Sequence, residues 1–438
     1  MSSVIEISPL TRVEGHGRIF IYLDGKRVER VQLALTESPR LFEALLLGKD
    51  YREVPEIICR ICSLCSSVHR IVSLLAVEKA LGIEVSEQAK LNRELILNGG
   101  HIQSHALHLF CLVLPDHFSA SGFPELVAKA PQELKMGLRI KAAGNLVQET
   151  IGGRLIHPVT LIPGGMGKPV KTEGLFRLRE ALSGVLPDAW QAYRLFRSFP
   201  HEKDNLPSCG FMAVEPGGTP PLFGDRLFTG KNQSFPVEEY QEKLGEKVIA
   251  HSYAKESVIM GKPVIVGALA RLNLGMSLSP KAALAFLESR DRIFQQDIRA
   301  NNLAQAVELI HAVERSLELV EILIERNFSR ESPPRTAPCK GTGTAAIEAP
   351  RGVLIHSYAF DALGLCRAAD IVTPTAINQA SMEQDLLALA QTMEGSDELE
   401  MTTALERLVR AYDPCISCAV HLINLQRKGR DQRQEVLS

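Results

Sequence analysis

Two Cys-x-x-Cys pairs, one near each end of the chain, constrain this fold more than any other feature. Cys62 and Cys65 lie in Arg60-Ile-Cys-Ser-Leu-Cys-Ser-Ser-Val-His69, and Cys415 and Cys418 in Asp413-Pro-Cys-Ile-Ser-Cys-Ala-Val-His421. Four thiolates brought together suit a soft metal such as zinc, nickel, copper or an iron–sulfur cluster, not magnesium or calcium. Local zinc modules place their two knuckles about 12–20 residues apart. Here 353 residues separate Cys62 from Cys415. A shared metal therefore requires the two ends to meet at the centre of the fold, and points to a catalytic cofactor loaded before final closure. Cys59 precedes Cys62 by the same three positions, so spacing alone leaves Cys59/Cys62 open beside Cys62/Cys65. Cys111, Cys209, Cys339 and Cys366 have no such company and read as small buried hydrophobes.

Composition narrows the rest. The 438 residues carry 49 Lys and Arg against 51 Asp and Glu, which argues against a nucleic-acid binder. No apolar run is long enough to span a bilayer. The first residues show no basic region followed by an apolar core, so the expected location is the cytoplasm.

Apolar alternation on either side of Asp24-Gly25 predicts a hairpin over 18–36. Helical spacing starts near residue 40, and 85–118 reads as mostly one long helix. Residues 200–275, rich in Pro and Gly, read as irregular α+β. The stretch 280–328 is the clearest helical region, with Ile310, Val313, Leu317, Val320 and Ile324 in steps of three and four. Two further helices are expected near 380–394 and 397–411.

The motifs, in this order, resemble the large subunit of nickel–iron hydrogenases. They are Thr11-Arg-Val-Glu-Gly-His16, Arg40-Leu-Phe-Glu43, the two cysteine motifs, Ile102-Gln-Ser-His-Ala-Leu-His108, Pro115-Asp116, Glu348-Ala-Pro-Arg-Gly352 and Pro374-Thr-Ala-Ile-Asn378. The resemblance runs essentially from end to end and is strongest to the cytoplasmic, cofactor-coupled members. One departure is Ser63, where many relatives have Gly; it leaves the ligand set intact.

The resemblance implies a mainly α fold with small flanking β-sheets, built round a helical bundle. It favours Cys62/Cys65 as the first pair. It further implies a nickel–iron centre with Cys62 and Cys415 as terminal nickel ligands and Cys65 and Cys418 as bridges. Carbon monoxide and cyanide would sit on the iron, facing Arg351, Pro374 and Thr375. Glu14 would relay protons from Cys415. Glu43, the carbonyl of Ile371 and His421 would hold magnesium or ferrous iron. Asp413 and His69 would steady the cysteines. Read singly, Glu14 is an exposed acid, Glu43 the solvated face of a helix, and Arg351 a surface ion pair.

The expected activity is reversible oxidation of hydrogen to protons and electrons. The chain lacks cysteines for further clusters, so an iron–sulfur small subunit is implied, with more electron-transfer subunits beyond it. Residues 1–421 would form one catalytic domain. Residues 422–438 would be an extension removed by a maturation endopeptidase after nickel-insertion proteins have acted. The rival readings are a structural zinc protein, a hydrogenase-related hydrogen sensor and a complex-I-like quinone-coupling subunit. That last relative lacks the four cysteines.

Overall fold

The computed structural model describes residues 2–37, 41–200, 206–207, 209–215, 222–230, 233–294, 297–328 and 337–420. His421 and residues 422–438 lie outside the described residues, as does Arg40.

Four long helices form the centre: Glu87–Leu107, Pro131–Gly152, Thr172–Ser198 and Asn301–Arg326, each packed on at least two of the others. Ser86 caps the first, its hydroxyl accepting from the Ala89 amide at 3.2 Å. That helix continues through a π-helical stretch, His108–Val113, into a last turn at Leu114–His117. The long helix read over 85–118 is therefore continuous but not uniformly α. A π segment lets one extra residue enter a turn, a device that recurs near functional sites. Ile310, Val313 and Val320 are buried along Asn301–Arg326, while Glu318 on the opposite side is exposed.

The helical region 280–328 is two helices, Pro280–Ile293 and Asn301–Arg326. The break needs neither Gly nor Pro. Asp297 accepts from the Arg299 amide at 2.9 Å and starts a 3-10 turn, Ile298–Ala300, that redirects the chain. The two C-terminal helices span Pro374–Thr392 and Glu398–Ala411. The first begins earlier than the apolar period suggests, because Pro374 at its N1 position needs no amide partner.

Two sheets flank the bundle. The predicted hairpin is Gly17–Asp24 paired with Arg27–Leu35, and Ser2–Ile7 adds a third antiparallel strand on the outer edge. The second sheet runs in the order Cys366–Val372, Gly352–Phe360, Gly341–Ala349, Phe223–Gly224. The Ser66–Leu81 helix packs across its two central strands. Residues 209–266 supply short strands and turns, as their composition suggests.

The two ends of the chain meet through specific bonds. The Pro374–Thr392 helix lies on the Arg27–Leu35 strand, where Gln379 Nε2 donates to Leu33 O at 2.8 Å. The Leu33 amide donates to Glu383 Oε1 at 2.9 Å. One hydrophobic core runs from Ile7 to Val420, with a smaller one under residues 212–266 and the second sheet. Among the described residues no helix is long and apolar enough to cross a membrane.

Candidate metal centre

Each cysteine pair sits at a chain turn that opens a helix. Cys65 is the N-cap of Ser66–Leu81, and Cys415 the N-cap of the short Ile416–Ala419 helix. Cys62 Sγ lies 3.6 Å from Cys415 Sγ, and Cys65 Sγ 3.9 Å from it. Cys415 and Cys418 are 2.9 Å apart. All four sulfurs fall within 4.8 Å of one another and are buried. A tetrahedral metal with sulfur at about 2.3 Å would separate its ligands by roughly 3.8 Å. The cluster has that size.

Its electrostatics also call for a cation. Hydrogen bonds from Cys415, Cys418 and Cys65 hold the Cys62 thiol well below its usual range. Cys415 is pushed well up, first by its bond to Cys418, and burial pushes Cys418 up as well. A thiolate at Cys62 thus forms at the expense of Cys415 and Cys418. Four like charges this close ionise together only around a soft cation. His69, one turn beyond Cys65, is fully buried, and burial brings it down to about 4 against the pull of Cys62. It is therefore neutral, and its Nδ1 shares a hydrogen with His356 Nε2 at 3.1 Å.

Arg351 is buried in contact with the cluster, not on the surface. Its Nη1 donates to Cys65 Sγ at 3.3 Å, and Nη2 lies 3.2 Å from Asp413 Oδ1. Burial opposes its charge, but Asp413 and the thiolates of Cys65, Cys415 and Cys62 outweigh that and raise it well above normal. Nε has no hydrogen-bond acceptor, and Nη2 is outside hydrogen-bond geometry despite its ion pair. Buried guanidinium donors without acceptors are costly, and they fit a site built for additional anionic ligands. Asp413 has φ 50°, a left-handed conformation that Asp tolerates better than most residues. It also accepts from Gln305 Nε2 at 3.0 Å. Thr375, following Pro374 at the start of its helix, accepts from the Cys415 amide at 2.8 Å, which leaves its hydroxyl hydrogen to donate.

Glu14 lies beside Cys415 in an isolated parallel bridge. The Ile416 amide donates to Glu14 O at 3.0 Å. The Glu14 carboxylate accepts from the Ser417 amide at 3.1 Å and from the Ser417 hydroxyl. Gly15 makes this approach possible: at φ +86° a Cβ there would sit 2.7 Å from Ile416 Cβ. Glu14, His16, Arg60, Cys62, His157 and Ser417 line a surface pocket of about 370 Å³. The cysteine cluster therefore has one thiol, that of Cys62, at this opening.

Glu43 is buried, contrary to the solvated-face reading. Its helix, Phe42–Leu46, rests against the Cys366–Val372 strand, and Oε1 accepts from the Ile371 amide at 3.0 Å. Burial raises its carboxyl to about 7, with Lys255 opposing and Asp370 adding to the rise. Lys255 Nζ lies 3.3 Å from Glu246 and 3.5 Å from Asp370. Three carboxylates and one ammonium thus share a half-buried space, a charge balance that suits a divalent cation. The structure brings Glu43 and the Ile371 backbone together; His421, the third expected ligand, is outside the described residues.

A second compact cluster carries no sequence signal as a unit: His101, His105 and Glu308, also buried and within 4.8 Å. Arg271 occupies its anionic side. Nε and Nη2 donate to the two Glu308 oxygens, both at 2.6 Å. His101 Nε2 donates to Glu348 O at 3.0 Å. A guanidinium already fills the place a metal would take. Arg271, Glu308 and Gln305 had no sequence signal, since their partners lie tens to more than a hundred residues away. Cys59 stays apart from the cysteine cluster, its thiol on Glu56 O at 3.2 Å.

The chain matches the family model for nickel-dependent hydrogenases over residues 40–121 and 229–421, more than half of its length. A HoxL-like model matches residues 4–38. It is 40% identical to the alpha subunit of sulfhydrogenase 2 from Pyrococcus furiosus, with 96% of this chain and 100% of that one covered. It is 34% identical to the alpha subunit of sulfhydrogenase 1 from the same organism, covering 96% and 98%. Its fold matches a solved NAD+-reducing [NiFe]-hydrogenase in the H2-reduced state with TM-score 0.85 and 25% identity, over 96% and 99%. Sequence, fold and cysteine geometry agree, and the chain belongs to the nickel-dependent hydrogenases as their catalytic large chain.

Proposed function

We propose that this protein carries out reversible hydrogen oxidation at Cys62, Cys65, Cys415 and Cys418, whose sulfurs would hold a nickel–iron centre, Cys62 and Cys415 on the nickel and Cys65 and Cys418 serving both metals. A nickel–iron centre bound there supplies the hydrogen-binding and redox chemistry. The observation that carries this reading is the convergence of four buried sulfurs from both ends of the chain within 4.8 Å. Arg351 and Thr375, beside Pro374, would donate hydrogen bonds to cyanide ligands on iron, with carbon monoxide as the third diatomic. The acceptor-free Arg351 Nε supports that role. Uneven splitting of hydrogen needs a base. The Cys415 thiolate takes a proton, and Glu14 passes it from the cluster toward the 370 Å³ pocket. Glu43 and the Ile371 carbonyl, with His421, would hold magnesium or ferrous iron.

The same opening supports an electron exit. His157 on its rim is flanked by exposed Leu155, Ile156 and Val159. Exposed apolar residues next in sequence to a residue of a polar opening suit a protein partner, here an iron–sulfur small subunit. Further electron-transfer subunits would complete a cytoplasmic, cofactor-coupled complex. Residues 1–421 would be the mature catalytic domain and 422–438 the segment cut by the endopeptidase after nickel insertion.

Metal analysis with intact mass on protein from its native host tests this. The expected result is about one nickel per chain, iron in addition, a mass ending at His421, and hydrogen uptake. Zinc alone, on a full-length chain from cells with active maturation proteins, would refute it.

A further inference from the structure

We propose that Arg271 is the positioning residue for Arg351, holding the turn that presents the Arg351 guanidinium to the cysteine cluster. Arg271 is 2% exposed and spends all five N–H donors on protein acceptors. Two go to Glu308 at 2.6 Å and one to Glu348 Oε2 at 2.7 Å. The other two go to the backbone directly before Arg351: Ala349 O at 3.0 Å and Pro350 O at 3.1 Å. One planar fork therefore ties the bundle helix Asn301–Arg326, through Glu308, to the turn between Gly341–Ala349 and Gly352–Phe360.

Two glycines let the segments meet. At Gly267, φ +122°, a Cβ would lie 3.2 Å from Arg351 O. At Gly352, φ +130°, a Cβ would lie 2.5 Å from Val266 Cγ2 and 2.8 Å from the Gly267 amide. The segment leading to Arg271 is pinned from two more sides. Asn378 Oδ1 accepts from the Val266 amide at 2.9 Å, three residues along the helix from Thr375. Asn301 Oδ1 accepts from the Leu269 amide at 3.0 Å, and Asn301 Nδ2 donates to Ala411 O at 2.8 Å, just before Asp413. The 266–271 segment thus touches the stretches of chain that carry Arg351 and Thr375, and is tied through Asn301 to the stretch that carries Cys415.

Buried Arg93 provides an internal control. It makes a bidentate pair with Glu78 at 2.6 and 2.7 Å and donates to Ile162 O, with no bond to the Arg351 turn. Lysine keeps the charge but is a point donor with three hydrogens, so it cannot reproduce the five-bond fork.

The test compares Arg271→Lys with Arg93→Lys in the full chain. In the metal-free precursor, amide hydrogen exchange in 349–353 should accelerate at least ten-fold in Arg271→Lys only. In the matured enzyme, Arg271→Lys should keep nickel within two-fold of the parent, shift the infrared bands of the iron's diatomic ligands and lower kcat about ten-fold with KM nearly unchanged. Arg93→Lys should lower the melting temperature without moving bands or kcat. If Arg271→Lys does not fold, Arg271→Gln/Glu308→Gln keeps the cluster's net charge and is read the same way. Unchanged exchange and bands in the Arg271 variants, or equal shifts in Arg93→Lys, would overturn the proposal. The infrared arm rests on the nickel–iron reading. A parent enzyme without nickel and without those bands would refute that reading, while the exchange arm still decides the role of Arg271.

Discussion

The two compact, buried clusters at the centre of this molecule differ in one respect. Cys62, Cys65, Cys415 and Cys418 crowd four sulfurs together, with one guanidinium nitrogen, of Arg351, donating to them among the described residues. His101, His105 and Glu308 also bring metal-binding residue types within 4.8 Å of one another, yet the Glu308 carboxylate is clamped by Arg271. Ligand types and distances therefore do not define a metal site. The balance of charge does: the first cluster has anionic donors in excess, and the second already contains its cation.

The comparison breaks most readily at Cys415. Cys415→Ala removes a proposed terminal ligand, and nickel should fall below a tenth of an atom per chain, with hydrogen uptake lost. His105→Asn in the second cluster should leave nickel within two-fold. Elemental analysis of both variants decides it, and loss of nickel in His105→Asn would show that the second cluster also loads metal.

Glu14→Gln tests the edge of the cysteine cluster at its opening. The amide still accepts from the Ser417 amide but cannot take a proton. Removing a general acid–base group costs roughly 10²–10⁴ in rate. Hydrogen oxidation should drop at least a hundred-fold while nickel content stays at the parent level. A parent-like rate would remove Glu14 from the proton route.

In the second cluster, Glu308→Gln should act on stability. It leaves Arg271 short of a charged partner, and breaking a buried pair costs about 3–5 kcal/mol. The pH dependence has a definite sign. Arg271 and His105 hold the fully buried Glu308 carboxyl below its normal range despite desolvation. A depressed acid contributes stability that is present above its unfolded pKa, about 4.3, and lost as pH falls through the folded value. Acid unfolding of the parent should therefore be steeper below pH 4 than that of Glu308→Gln. Equal steepness would mean Glu308 is not the titrating group.

What was legible in the amino-acid sequence follows from range. The cysteine pairs are local motifs, and their separation already required the two ends of the chain to meet. The hairpin at Asp24-Gly25 and the helical period at 301–326 are local too. Arg351 was found through the motif around it, whereas its burial was not expected from the residue alone. Arg271 was invisible because its five acceptors lie 37 to 79 residues further along the chain. Only the left-handed glycines at 267 and 352 mark that contact, and a glycine in sequence does not disclose its φ. The break at Asp297 was missed because a side-chain cap ends a helix without Gly or Pro.

The mildest effect separates a buried carboxyl clamped by a cation from one whose titration is governed by burial. Asp385, on the Pro374–Thr392 helix, accepts from the Tyr412 hydroxyl at 2.6 Å, and its Oδ1 has no partner. Burial raises it to about 7, against the Tyr412 bond and the more weakly felt charge of Arg299, with Asp297 adding to the rise. Its sign is opposite to that of Glu308. Between roughly pH 4 and 7 the folded chain holds a proton that the unfolded chain has released, so Asp385 makes the fold lose stability as pH rises through that window. Above about pH 7 its cost is constant, and a shift of this size limits it to about 4 kcal/mol. Asp385→Asn keeps the acceptor for Tyr412 without the charge. It should flatten the fall in stability between pH 4 and 7 and raise stability at pH 8 by about 2 kcal/mol, measured by denaturant unfolding of the metal-free chain. A variant as pH-sensitive as its parent would mean that Asp385 is not the titrating group, and the contrast with Glu308 would collapse.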